Sequence, residues 1–177
     1  MKKQQGFTLI ELIIVIVILG ILAVTAAPKF LNLQDDANTA TLDGIKASME
    51  TSKNIVYGKA IIAGAQNTAD FTLPNVQGAN SVITDKGYPD EDWDTTWIHL
   101  LDLKAVASDA DARNADFVVY EGDSSAAGTA ILKVVPTNTI TLDATTGIPS
   151  TVTADVIKCF ASYSNLDGVL DIKVTAC

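Results

Sequence analysis

Glu11 is a carboxylate inside an otherwise apolar run that extends from Phe7 to Ala27. A charge at the centre of a membrane-crossing helix costs about 2.5–3.5 kcal/mol on insertion scales, so such a residue asks for a partner. The sequence offers one if the chain is cut between Gly6 and Phe7. The cut would create an α-amino group on Phe7, mostly protonated near neutral pH. Phe7 and Glu11 are four residues apart, one helical turn, and so share a face. The ammonium and the carboxylate could neutralise one another within a chain, or between two helices packed with a small axial offset. Because an apolar charge pair is costly to break, the second arrangement would set the register of an assembly.

The other chemistry-bearing residues lie further along. Cys159 and Cys177 are eighteen positions apart and look like a staple for the tail. Two free buried thiols are the alternative, disfavoured for a domain outside the cytoplasm, where disulfides persist. Closing a loop of that length is worth about 3 kcal/mol in the chain-entropy description. Asp90, Asp92 and Asp94 alternate like the opening of a calcium loop. An EF-hand then needs Gly at its sixth position and Glu at its twelfth, and Thr95 and Leu101 stand there instead. What remains is a looser calcium site, set against a solvated acidic loop that the composition favours. His99 is the only histidine, beside Leu100 and Leu101, and no Gly-x-Ser-x-Gly elbow accompanies it. Packing or surface exposure is therefore preferred to catalysis. One histidine and two cysteines better spent on each other leave a zinc site unsupported. Trp93, Trp97 and Tyr88 among carboxylates could bind a sugar, but anchoring a loop is the commoner use.

The elements that must position these residues follow from patterning. The chain has 177 residues, room for one domain plus an anchor, and a formal net charge of −9. Without a basic cluster, it lacks the surface that nucleic-acid phosphates require. The apolar block is long enough to cross a bilayer as a helix. Lys2 and Lys3 precede it, which places the N-terminus in the cytoplasm and the remainder outside. A secretory signal cut after Ala27 is disfavoured by the length of the block, by Glu11 and by Pro28 directly after the cut. A plain anchor accounts for the length and leaves Glu11 unexplained. Pro28 is expected to kink the helix without necessarily ending it. Beyond it, Leu42, Ile45, Met49, Ser52, Val56, Ala60 and Ala63 recur near a period of three and a half, with Lys46, Glu50 and Lys53 off that seam. The pattern predicts an amphipathic helix to about Gly64, with Met49 and Val56 in a core against a sheet.

From Gly64 to about Ala112 the abundance of Gly, Asn, Asp and Thr predicts loops, with a short helix near Thr95–Ala107. Strands are expected at Asp116–Tyr120, Ala130–Val135, Ile157–Tyr163 and Val169–Val174. Turns are expected at Glu121–Asp123, at Asn138 and at Asp167–Gly168, the last within a hairpin loop Ser164–Gly168. A long helix on an antiparallel sheet is an α+β architecture.

The stretch Gly6-Phe7-Thr8-Leu9-Ile10-Glu11, behind a short basic leader, resembles the signature of short-leader type IVa prepilins. Gly20 and Pro28 also fall where that family commonly has helix-weakening residues. With the cysteine pair, Ala27-Pro28-Lys29-Phe30-Leu31-Asn32-Leu33-Gln34-Asp35-Asp36 looks like mannose-sensitive haemagglutinin (MSHA) pilins. The resemblance implies a leader at 1–6, a transmembrane and assembly helix at 7–28, and a head at 29–177 that includes the amphipathic helix half. It implies cleavage after Gly6 by a prepilin peptidase, N-methylation of Phe7, and Glu11 as the assembly carboxylate. The long helix on the sheet would be the pilin fold. The partners implied are identical subunits in a helical homopolymer, the inner-membrane assembly machinery and a surface or glycan receptor, with no cofactor. Its place would be the inner membrane, N-terminus inside, and then an extracellular filament used for attachment. The rivals are a type II secretion pseudopilin and a simply anchored periplasmic binding module.

Overall fold

A computed structural model of the chain describes residues 7–76, 79–124, 129–150, 157, 159–166 and 168–177. The chain divides into two compact units, Met1–Ala37 and Asn38–Cys177. Helix α1, Leu9–Ala63, contributes to both.

In the first unit, Leu9–Ala26 form an 18-residue window of mean hydropathy 3.0, none of it buried. At 1.5 Å per residue this is about the depth of a bilayer's hydrocarbon core. A helix suits that medium because its backbone groups are satisfied internally. Thr25 follows the same rule: its hydroxyl donates to the Leu22 carbonyl at 3.0 Å. The helix continues through both Gly20 and Pro28, so neither residue ends it.

In the second unit, the same helix turns one seam inward. Leu42, Ile45, Met49, Ser52, Val56 and Ala60 are buried, whereas Lys46 and Lys53 are half-buried and Glu50 is exposed. Ala63, expected on the seam, is exposed because the helix ends there. Gly64 takes φ +72°, donating to the Ile61 carbonyl, while Ala65 N donates to the Ala60 carbonyl. These are the two bonds of a Schellman stop, which glycine accommodates without a Cβ penalty.

Loops were expected directly after the helix, and the structure corrects this with a three-stranded antiparallel sheet. Its strands are β1 (Phe71–Val76), β2 (Ala79–Asp85) and β3 (Tyr88–Pro89). Among the described residues, Leu73, Val76, Val82, Thr84 and Pro89 are its buried ones. The short helix expected near Thr95–Ala107 is a π-helical turn, Trp93–Trp97, followed by the single turn α2, Ile98–Leu100. The chain then extends into β4, Ala105–Ala107.

The second sheet has the order β4-β5-β6-β7-β8, with β5 at Phe117–Ser124, β6 at Thr129–Pro136, β7 at Phe160–Leu166 and β8 at Val169–Thr175. All its pairings are antiparallel except β4 with β5, which is parallel. Glu121–Asp123, expected as a turn, lie inside β5, where Gly122 pairs with Ile131. The β7–β8 hairpin is tighter than the expected five-residue loop, because Leu166 already pairs with Val169. Gly168 takes φ +82° in its turn, and Asp167 lies outside the described residues. The head core joins Leu42, Met49 and Val56 of α1 to Val119, Leu132, Val134 and Tyr163 of the larger sheet, and to Leu73 and Val82 of the smaller one. The architecture is the expected α+β one, a long N-terminal helix with mostly antiparallel sheets and a C-terminal disulfide, as in pilins.

Candidate functional site

The N-terminal site is built on the first turn of α1. Phe7 precedes the helix and is 88% exposed. Thr8 is its N-cap: the Thr8 amide donates to Glu11 Oε2 at 2.8 Å and the Thr8 hydroxyl donates to the same oxygen at 2.6 Å. In return the Glu11 amide donates to Thr8 Oγ1 at 3.3 Å. This reciprocal arrangement is a capping box, which satisfies helix-end donors that otherwise have no partner. It keeps the carboxylate at the N-terminal end of the helix, where the macrodipole favours negative charge. Gly6, the expected residue before the cut, and Lys2 and Lys3 lie outside the described residues. Gly20 has open space where a Cβ would project. Sequence reasoning missed Thr8, although Thr-x-x-Glu ahead of an apolar run is the signature of this cap.

Cys159 and Cys177 are joined in a disulfide, with Cα atoms 4.6 Å apart. The second cysteine is held to the helix as well, its amide donating to Thr39 Oγ1 at 3.1 Å.

Two aspartates of the acidic stretch are engaged in local hydrogen bonds. Asp90 Oδ1 accepts from the Glu91 amide at 2.7 Å. Asp92 Oδ1 accepts from both the amide and the hydroxyl of Thr95, each at 2.7 Å, and so caps the π-helical turn. Asp94 is exposed. An extended strand would put three alternating aspartates on one face. The chain instead coils at Trp93, and among the described residues no group of three or more His, Cys, Asp or Glu is placed to hold a metal. The aromatic residues here serve as anchors. Trp93 is 2% exposed and Trp97 fully buried, the latter edge-on to Tyr163 with ring centres 4.5 Å apart. Tyr88 stacks on Tyr57 of α1 at 4.4 Å. The two indoles therefore present no open face to a sugar, and His99 is a surface residue.

Two carboxyls in this region were not singled out from sequence. Glu91 is buried, and its Oε1 accepts from the amide of Asn165 on β7. Burial first, and then its hydrogen bond to Asp90, push its carboxyl up to about 7. Glu121 accepts from the Trp93 amide, and burial raises it too. Nothing local in the sequence signals the burial of Glu91, which depends on a strand distant along the chain, and Glu121 remains exposed.

Residues 1–27 match the family model described as the prokaryotic N-terminal methylation motif. Over 79 residues the chain is 39% identical to the type IV narrow pilus major component PilA5 of Thermus thermophilus, a match covering 45% of this chain and 66% of that protein. Over 74 residues it is 42% identical to a fimbrial protein of Moraxella nonliquefaciens, covering 40% of this chain and 47% of the relative. Over 47 residues it is 47% identical to the type II secretion system core protein G of Pseudomonas aeruginosa, covering 26% and 33%. The chain thus spans less than two thirds of the length of each of these relatives. No solved structure matches it significantly.

Proposed function

We propose that this chain, a type IV pilin by its N-terminal methylation motif and its relatives, is the major subunit of a type IV pilus of the MSHA kind. It is a fibre subunit and not an enzyme. A prepilin peptidase removes the leader after Gly6 and methylates the new amine of Phe7. The protein waits in the inner membrane with its N-terminus inside, and the assembly machinery then adds it to a homopolymer that serves attachment outside the cell. The observation that carries this reading is Glu11, a carboxylate in the first turn of an apolar 18-residue span of which none is buried among the described residues. Inside a filament, Glu11 of one subunit offers a counter-charge to the Phe7 ammonium of the next, and Gly20 and Pro28 give the helix places to bend.

Two measurements test it together. Mass spectrometry of sheared surface fibres should find a chain that begins at Phe7 and carries one extra methyl group; a start at Met1 or Pro28 refutes the processing. Glu11→Leu should leave mature protein in the inner membrane at normal amounts, because a carboxylate has been removed from an apolar helix. Pili should nevertheless be few or absent, and wild-type piliation by this variant refutes the charge-pair role.

The similarity to a secretion core protein favours a second reading, a pseudopilin of a short periplasmic fibre. That match is confined to a short stretch, and electron microscopy of sheared surfaces separates the two: long filaments of this protein, or none.

A further inference from the structure

Among the described residues, Glu91 is the one acidic or basic side chain that the fold buries, at 8% exposure, and it takes no part in the N-terminal assembly chemistry. It follows β3 and faces β7, where it accepts from the Asn165 amide. Around it a small set of bonds fastens the β2–β3 segment to the β7–β8 hairpin. The Asn165 side chain donates to the Asp85 carbonyl at 3.1 Å and to the Pro89 carbonyl at 3.4 Å. The Tyr163 hydroxyl donates to the Pro89 carbonyl at 2.6 Å, and Asn165 Oδ1 accepts from the Gly168 amide in the hairpin turn at 3.0 Å. Of the side chains in this fastening, Glu91 is the one that changes charge near neutral pH.

The groups facing it are largely acidic. Its own segment supplies Asp90, whose carboxylate accepts from the Glu91 amide at 2.7 Å and whose presence raises the Glu91 carboxyl. On β7, the Tyr163 hydroxyl is raised first by burial and then by the charges of Glu91, Asp90, Tyr88 of β3 and Asp85 of β2. Asp92 and Asp94 at the π-helical turn, with Glu121 of β5, form a neighbouring acidic group. Lys86 lies at the far side, against Gly168.

We propose that Glu91 is a proton-operated latch: protonated, it stays seated against Asn165 and fastens the β7–β8 hairpin to the β2–β3 segment; ionised, it is driven toward water and the hairpin loosens. Opposing influences meet at the carboxyl. The amides of Asn165 and of Glu91 itself favour the anion, while burial and the adjacent Asp90 both oppose it. Burial is the largest influence and Asp90 acts with it, so the proton is retained up to about 7. The latch stands independently of the filament reading, since it lies wholly in the head.

The test is amide hydrogen exchange by NMR on the full chain in detergent micelles, read as the protection factor of the Asn165 amide. Between about pH 5.5 and about pH 8.5 it should fall at least about tenfold, the ratio carried by one unit of pKa shift. Glu91→Gln keeps the acceptor and cannot ionise, so its protection should stay high across the range. Asp90→Asn removes the opposing neighbour and should move the fall to lower pH. Unchanged protection in the wild type, or the same fall in Glu91→Gln, overturns the proposal. Should Glu91→Gln not fold, a carboxyl-carbon titration of the wild-type Glu91 decides: a midpoint at the ordinary glutamate value overturns it, and one near neutrality upholds it.

Discussion

Thr8 and Glu11 cap each other across the first turn of α1, with the amide and hydroxyl of Thr8 on one carboxylate oxygen and the Glu11 amide returning a bond to the hydroxyl. The residue proposed to serve a neighbour is thus already engaged within its own chain. Losing such a cap costs about 1 kcal/mol in water, and no less where water cannot replace it. Thr8→Val keeps the shape and removes the hydroxyl. Exchange of the Leu9–Glu11 amides in micelles should then quicken about fivefold, the ratio that 1 kcal/mol carries. Thr8→Ser should restore the original rate, and equal rates in all three proteins would remove the cap from consideration.

The inward seam of α1 predicts a sharp contrast between two substitutions on one helix. Met49 is fully buried and Ile62 is 87% exposed. Met49→Ala should lower stability by about 2–5 kcal/mol through lost contacts and a residual cavity. Ile62→Ala should change it by no more than about 0.5 kcal/mol. Denaturant melts of the micellar protein, followed by head fluorescence from Trp93 and Trp97, measure both.

Glu91 and Asp111 give the pH dependence two windows of opposite sign. Glu91 is raised in the fold from 4.5 to about 7, so the native state holds a proton that the unfolded chain has released. Its contribution is fully present below 4.5 and is lost as pH rises through about 7. Asp111 is lowered by its hydrogen bonds to Arg113, from 3.8 to about 2, so its contribution is lost as pH falls through that range. Solvent screens this exposed pair, and its share is the smaller one. Thermal melts should therefore peak on the acid side of neutrality, and Glu91→Gln should flatten the limb between 4.5 and about 7.

Removing the disulfide tests the tail. The bond closes a separation of 18 residues, so Cys159→Ala with Cys177→Ala should cost about 3 kcal/mol. Cys159 is 5% exposed, and alanine keeps that site apolar. A double variant that melts with the wild type would show that the hydrogen bonds of β7 with β8 hold the tail unaided.

What could be read from sequence was whatever repeats or falls in phase locally. Gly6, Phe7, Glu11 and the apolar run stand at fixed offsets, and the seam from Leu42 to Ala60 recurs with the helical period. Strands β5 to β8 were found because their apolar runs are bounded by turn residues, though Gly122 was mistaken for a turn when the ladder continues past it. The smaller sheet was hidden by its own composition. Pro74 sits within β1, Asn75 and Lys86 take positive φ, and the buried positions are few. Thr8 was legible and overlooked. The burial of Glu91 was not legible, because it depends on Asn165, 74 residues away, and no local pattern encodes that encounter.

The bond from the Cys177 amide to Thr39 joins positions 138 residues apart, and Asn138 reaches Asn38 across 100. The first helical turns of the head are therefore completed by segments made long after them. A ribosome adding about 5–20 residues per second leaves those turns without their strands for several seconds or more. Contacts of such long range are also the slow ones to form, since loop closure precedes any return from them. These two bonds can therefore close only after the strands have followed the helix, so the inward seam of α1 stays uncovered at this end until the tail of the chain arrives.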